Sequence, residues 1–154
     1  MKHLLQTLVL AFGIASGPLA AWAEDDSKIS TLTIQTTSAI YSFTTEIALS
    51  PEAKERGLMF RQNMPVDQAM LFVFDPPQPV QFWMKNTLIP LDMIFVRTDG
   101  TIAAIAENAV PQSLDVNGVQ EPVADVIEVA GGVTRQLGIH MGDHVGGAAF
   151  TQPN

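Results

Sequence analysis

Apolar and polar residues alternate through two early stretches of the chain. Leu32 and Ile34 form the first, and Tyr41, Phe43, Thr45, Ile47 and Leu49 the second. A period of two places alternate side chains on one sheet face, so the pattern predicts strands over Thr31–Thr36 and Ile40–Ala48. The pattern then breaks at Ser50-Pro51-Glu52-Ala53-Lys54-Glu55-Arg56-Gly57. Ser50 can accept a free backbone N–H, Pro51 suits a first helical position, and Gly57 suits an end, so a short helix is expected there. Leu58-Met59-Phe60 follows as an apolar plug.

Met70-Leu71-Phe72-Val73-Phe74 is apolar at every position, as in a strand covered on both faces. Asp75-Pro76-Pro77-Gln78-Pro79 reads as a loop, because prolines cannot donate to a ladder. Val80 to Met84 reads as the next strand, Lys85-Asn86-Thr87 as a polar bend, and Asp92 to Arg97 as a return strand. Asp99-Gly100 favours a hairpin turn into Thr101–Ala106. A long loop is expected over Asn108–Pro122, a strand over Asp125–Ala130, a short helix within Gly131–Gly138, and a closing strand within Asp143–Phe150. Most of these connections are too short for parallel crossovers, so the fold is expected to be mainly β with short helices. Its sheet is expected to be antiparallel, in a sandwich or partly open barrel.

The chain begins differently. Lys2 precedes an apolar run from Leu4 to Ala15, interrupted by Gln6 and Thr7. Gly17-Pro18 then breaks it, and Ala21-Trp22-Ala23 supplies small residues at two spaced positions. This is the pattern of a cleaved signal peptide over residues 1–23, with a flexible leader over 24–30, one β-rich domain over 31–150 and a tail over 151–154. A membrane-spanning helix needs roughly 20 apolar residues, and the run stops short of that at Pro18. No membrane insertion is therefore expected after cleavage, and the location is expected to be periplasmic or secreted.

Composition narrows the chemistry. The chain has 154 residues, 47% hydrophobic and 16% charged, as in a packed globule. It has no Cys, which removes disulfides, thiol catalysis, thiolate metal sites and a lipid-modified cysteine. Sixteen acidic residues face eight scattered basic ones. Nucleic acid is therefore not an expected partner, since phosphate binding needs clustered cations.

The densest chemistry lies in Phe82 to Phe95. Trp83 and Lys85 share a face by alternation, and Lys85, Asn86 and Thr87 offer a cation, an amide and a hydroxyl at the tip. Asp92 is a lone charge in an apolar strand and must be paired or reach water. Its expected partners are Arg56, Arg61, Lys85 or the Asn86–Thr87 backbone, and Arg56 and Arg61 are also candidates to pair with Glu128. One reading is a binding pocket rimmed by Arg61, Lys85, Asn86, Thr87 and Asp92 with Trp83 as a wall. The other is an ion-pair and turn network that sets strand register. Trp83, between Phe82 and Met84, is expected to be buried.

Other sites find less support. His140 and His144 are spaced for chelation on a helix, but Gly138 and Gly142 oppose a helix there. The methionines (Met59, Met64, Met70, Met84, Met93, Met141) sit mostly among apolar neighbours, as core fillers do. No metal or cofactor is expected. No Gly-x-Ser-x-Gly elbow or phosphate-cradling loop is present, and Asp92 with Glu128 is a weak candidate for a carboxylate pair.

Arg56-Gly57-Leu58-Met59-Phe60-Arg61, Met70 to Phe74 and the Trp-Met-Lys-Asn-Thr string within Phe82–Phe95 resemble the domain-of-unknown-function 192 family. Val126-Ile127-Glu128-Val129 with Gly131, and Gly138-Ile139 with Gly142-Asp143, resemble that family's end in the same order. The likeness spans about Thr31 to Val145. It implies a jelly-roll-like β fold with short helices, in a family whose members often carry export signals, and it implies no reaction. Two functions remain. One is a non-catalytic binding or accessory protein for a small molecule or envelope protein. The other is a small envelope-associated hydrolase or other enzyme using Lys85 or Asp92. A concave pocket faced by a perturbed acid or base would favour the enzyme, and a flat or filled face an interaction surface.

Overall fold

The computed structural model describes residues 27–150. The signal peptide expected over residues 1–23, residues 24–26 of the expected leader, and the expected tail lie outside the described residues. Seven strands and two short helices follow in the order β1 (Ser27–Gln35), β2 (Ile40–Ala48), α1 (Pro51–Arg56), β3 (Gln68–Phe82), β4 (Leu91–Val96), β5 (Ile102–Ala109), β6 (Asn117–Ala130), α2 (Val133–Leu137) and β7 (His144–Gly146).

The strands form one sheet in the order β5-β4-β6-β3-β2-β1-β7. Every pair is antiparallel except β2 with β3. That parallel pair needs a crossover, and the segment carrying α1 supplies it. The sheet curls until its edges approach. Thr101 bridges His144, and Ile102 N–H donates to the Asp143 carbonyl at 2.9 Å. The result is a half-barrel, within the expected class of mainly β, partly open barrels.

Alternation along the central strands builds two cores. Ala69 and Leu71 of β3, Ile94 and Val96 of β4, and Ile127 and Val129 of β6 pack on the concave side with Leu32, Ile34 and Phe43. Met70 and Phe72, Met93 and Phe95, and Val126 point the other way, where Leu58 and Met84 cover them. Burial on both faces explains the unbroken apolar runs in β3 and β4. The second core is roofed by α1, the turn after it and the Trp83–Pro90 segment, and this layer holds the candidate site.

The α1 ends form as the sequence predicts. The Ser50 side chain accepts the Ala53 N–H at 3.1 Å, Pro51 opens the helix, and Gly57 closes it at φ 47°, ψ −131°. That conformation favours glycine.

Three expectations need correction. The leader is not loose from Ser27 onward, because Ser27–Ser30 pair with Thr45–Ala48 through backbone bonds that need no apolar side chain. Asp75–Pro79 is not a separating loop. One strand, β3, runs through it, and pairing with β6 lapses between Val73 and Gln78. A register shift there removes the need for proline N–H groups. The loop over Asn108–Pro122 is shorter than expected, since β6 begins at Asn117. Gly118 lies opposite Gln81, and a Cβ there would fall 2.3 Å from the Val80 carbonyl oxygen. Its missing side chain lets the two strands approach.

Candidate functional site

The polar tip is held from both sides. Thr87 N–H donates to the Met84 carbonyl at 3.0 Å and closes a turn in which Asn86 adopts φ 58°. Asparagine tolerates that left-handed region better than most residues. The Asn86 carbonyl accepts the Phe60 N–H at 2.9 Å, and its amide nitrogen lies 3.8 Å from the Met59 sulfur. On the other flank, Gln112 N–H donates to the Thr87 carbonyl and Met84 N–H to the Ser113 carbonyl, each at 3.0 Å. Phe60, Asn86 and Gln112 all have positive φ. Three strained non-glycine residues thus meet in one hydrogen-bonded cluster, as strain often does at functional sites.

Lys85 and Trp83 share a face as expected, with the Lys85 ammonium 5.2 Å from the Trp83 ring centroid. Trp83 is 51% exposed, not buried. β3 ends at Phe82, so Trp83 lies outside the ladder and strand alternation does not reach it. Trp83→Ala is therefore expected to cost about 1 kcal/mol or less in a denaturant melt, not the 3–5 kcal/mol of an emptied core site. A loss of several kcal/mol would show that the ring is a core element after all.

Arg61 is not at this rim. Its guanidinium forms a two-pronged pair with the Glu46 carboxylate of β2, at 2.5 Å for each bond. Asp92 departs further from expectation. It is 0% exposed, and none of Arg56, Arg61, Lys85 or the Asn86–Thr87 backbone bonds it. Its carboxylate accepts the N–H groups of Asn108 (2.8 Å), Gly132 (2.9 Å) and Thr134 (2.9 Å) and the Thr134 hydroxyl (2.6 Å). The rule that a lone buried charge must be paired holds, but backbone donors satisfy it.

Asp92 and Glu128 do not form a carboxylate pair. Asp92 stands opposite Val129 and Glu128 opposite Met93, so neighbouring register positions send them to opposite sheet faces. His140 and His144 are likewise separated in role. The His140 N–H donates to the Asp143 carboxylate at 2.8 Å, and His144 lies on β7 beside Thr101. Among the described residues no group of three His, Asp or Glu side chains is placed to hold a metal.

Glu128 occupies the most distinctive position. A cavity of about 410 Å³ lies between α1 and the convex face of β3 and β6, with Glu128 at its floor. Phe72, Phe74, Phe82 and Trp83 form aromatic walls, and Lys54 and Arg56 reach it from α1. Phe82 meets Phe72 edge-on at 5.2 Å and Phe74 at 6.4 Å. A Cβ on Gly57 would lie 3.4 Å from the Phe72 ring and 4.0 Å from a Glu128 carboxyl oxygen, ordinary contact distances, so Gly57 lies just above both. Thr87 lines the same cavity. Lys85 and Asn86 line an adjoining hollow of about 310 Å³ that shares Arg56, Met59 and Trp83 with it.

Glu128 is 5% exposed, and burial pushes its carboxyl up to about 8 from the usual 4.5. Arg56 and Glu128 both line the cavity, but the expected ion pair between them does not form. Asp125, close by on β6, is raised to about 6 by burial, partly offset by the Lys54 charge. Lys54 itself donates to the Val73 carbonyl at 2.5 Å and lies 5.4 Å from the Phe74 ring centroid.

Of the sequence-derived candidates, Trp83, Lys85, Asn86, Thr87, Arg56 and Glu128 converge on the two connected hollows. Arg61 and Asp92 serve the framework. Sequence reasoning missed the phenylalanine walls, since core and cavity phenylalanines look alike in an apolar strand. The signal that could have promoted Glu128 was present. It is a lone acid in Val126-Ile127-Glu128-Val129, the same cue that drew attention to Asp92.

Known proteins agree with the architecture. No curated protein matches the chain. A crystal structure from Sinorhizobium meliloti 1021, of a protein provisionally described as a transcription regulator, is 43% identical. The match covers 79% of this chain and 95% of that one with a TM-score of 0.77. A protein of unknown function from Novosphingobium aromaticivorans DSM 12444 is 39% identical, over 77% of this chain and 84% of that one, with a TM-score of 0.75. Residues 32–147 match the family DUF192, described as Uncharacterized ACR, and the chain belongs to that family.

Proposed function

We propose that this protein is exported through a cleaved signal peptide and binds a small molecule in the cleft between α1 and the β3–β6 face, without transforming it. The observation that carries this reading is the cleft itself. It is a concave aromatic hollow of about 410 Å³ with a buried, raised carboxyl at its floor. Sites for small molecules combine apolar walls with a few convergent polar groups in this way. The cleft lining contains no His, Ser or Cys, and of the nucleophile types it does hold, Lys54 is engaged by the Val73 carbonyl. The Thr87 hydroxyl points to the Lys85 carbonyl at 3.5 Å.

One observation favours a second reading. A carboxyl with a pKa near neutrality can exchange protons with a bound substrate, so an enzyme using Glu128 is the alternative. Asp92 is a poor proton-transfer group, being sealed from solvent and filled with donors. A screen of small metabolites by thermal shift, with mass spectrometry of the recovered ligand, separates the two. Capture of an unchanged compound, lost in Glu128→Gln, supports binding, and steady conversion of that compound supports the enzyme. Capture of an envelope protein with no small-molecule response would move the function to the Trp83–Lys85 surface.

The provisional description of the Sinorhizobium meliloti protein suggests nucleic acid. A net charge of −8 and eight scattered cations do not suit phosphate binding, so nucleic acid has no part in this proposal. Export rests on Lys2, the apolar run and Ala21-Trp22-Ala23. Among the described residues no helix is long and apolar enough to cross a membrane. Expressed with its own leader, the protein is expected in the periplasmic fraction with Glu24 as its first residue by mass spectrometry. An intact Met1 in the membrane fraction would refute export by cleavage.

A further inference from the structure

Glu128 poses a problem of charge that the fold solves elsewhere. Asp92 is buried and takes four donors from its own chain. Glu128 is nearly as buried and, among the described residues, has no hydrogen-bond or ion-pair partner. No fully hidden side-chain oxygen is left unpaired, so the Glu128 carboxyl reaches the cavity it lines. An unpartnered carboxyl in an apolar site is costly and is kept where a ligand completes it.

The walls say what kind of ligand suits it. The faces of aromatic rings are electron-rich and attract cations. Two rings of this cleft already hold ammonium groups, Phe74 that of Lys54 and Trp83 that of Lys85. Phe72 stands nearer the floor, packed edge-on against Phe82, and Gly57 leaves the space above Phe72 and Glu128 unfilled by a side chain.

We propose that the cleft recognises a small organic ammonium ion whose charged nitrogen lies against the aromatic lining and pairs with Glu128. This rests on the cleft being a ligand site, as argued above, and adds the class of ligand. The other charged groups on the cleft are Lys54, Glu55 and Arg56, all from α1. β3 contributes the neutral Gln78 and Gln81, and the tip contributes Thr87, with Lys85 in the adjoining hollow. Lys54 is engaged by the Val73 carbonyl and the Phe74 ring. Lys54 and Arg56, offset in part by Glu55, favour a ligand that turns its ammonium toward Glu128 and any hydroxyl or carboxylate toward α1.

Binding is then linked to a proton. The empty cleft keeps Glu128 protonated below about pH 8, and pairing with an ammonium needs the carboxylate, so one proton leaves for each ligand bound. Affinity is expected to fall about tenfold per pH unit below that value and to level above it.

The test uses choline against 3,3-dimethylbutan-1-ol, which has the same shape without the charge, and butylamine against butan-1-ol as a second pair. Each is titrated calorimetrically into the purified protein between about pH 6 and 8, in two buffers of different ionisation enthalpy. The expected result is binding of at least one ammonium, with close to one proton released near pH 6 and about half a proton near pH 8, and neither neutral isostere retained. Glu128→Gln should melt as a folded protein and bind that ammonium at least about tenfold more weakly. Equal binding of a neutral isostere, an affinity independent of pH, or full binding by Glu128→Gln would each overturn the ammonium assignment. If neither ammonium binds but another compound in the metabolite screen is captured through Glu128, the ligand class falls and the ligand site stands. Silence of the ammonium ions and of the whole screen removes both.

Discussion

Replacing Asp92 with alanine is expected to cost about 3–5 kcal/mol, enough to lower the melting temperature by about 10 °C or more. The reason lies in what Asp92 holds together. It sits on β4, fully buried, and its two oxygens accept three backbone N–H groups and one hydroxyl. Asn108 lies near the end of β5, whereas Gly132 and Thr134 lie at the start of α2. The first N–H groups of a helix have no partner inside it. The α2 N-cap is Gly132, which has no side chain to serve them, so a carboxylate from another element caps this helix. Alanine would leave those donors buried without acceptors and open a void. Asp92→Asn keeps one acceptor but turns an amide NH2 toward N–H donors, and about half the loss is expected. Lys85→Ala, at the exposed tip, should leave the melting point unchanged. An Asp92→Ala protein that melts with the wild type would show that these bonds contribute nothing net.

Much of this framework can be read from the residue pattern, and the failures have physical causes. Period-two alternation located β2 at its observed ends, and Ser50, Pro51 and Gly57 located α1. These are local signals in which each residue acts on neighbours a few positions away. The same local logic failed for Asp92, because two of its donor residues lie 40 and 42 positions along the chain and are backbone groups. Of these residues only Thr134 also donates through its side chain, and nothing local ties that hydroxyl to Asp92. It fails for Arg61 because its partner Glu46 lies 15 positions back along the chain, on β2. The prolines after Val73 argue against a strand only if β3 pairs at every residue, yet β3 and β6 shift register there and the strand continues. At the candidate site, the polar tip was legible as a cluster of functional groups. The cleft beside it was not, since a cavity exists only when α1 and the sheet are brought together.

Glu128→Gln is expected to stabilise the folded protein at neutral and alkaline pH and to remove most of its pH dependence. Burial raises the Glu128 carboxyl from 4.5 to about 8. Between those values the unfolded chain has released this proton and the folded chain retains it. Stability therefore falls as pH rises through the interval, because the folded state binds more protons. The full interval corresponds to a loss on the order of 5 kcal/mol. Asp125 adds a smaller slope of the same sign between 3.8 and about 6. The wild type should thus be more stable near pH 5 than near pH 8. Glutamine has nearly the same shape and no proton to lose, so the variant should match the wild type near pH 4.5 and exceed it by several kcal/mol near pH 8. What remains of its slope should end near pH 6, where Asp125 is spent. Denaturant melts across this range measure both curves, and parallel curves for the two proteins would mean that Glu128 is solvated or paired in solution. A stability gain from removing one charge also bears on function. An acid that weakens its own fold as pH rises through neutrality is a poor structural element, and its place at the floor of an aromatic cleft suits it to a different task. The variant should therefore be the more stable protein and the weaker binder, and a loss of both properties would return Glu128 to the framework.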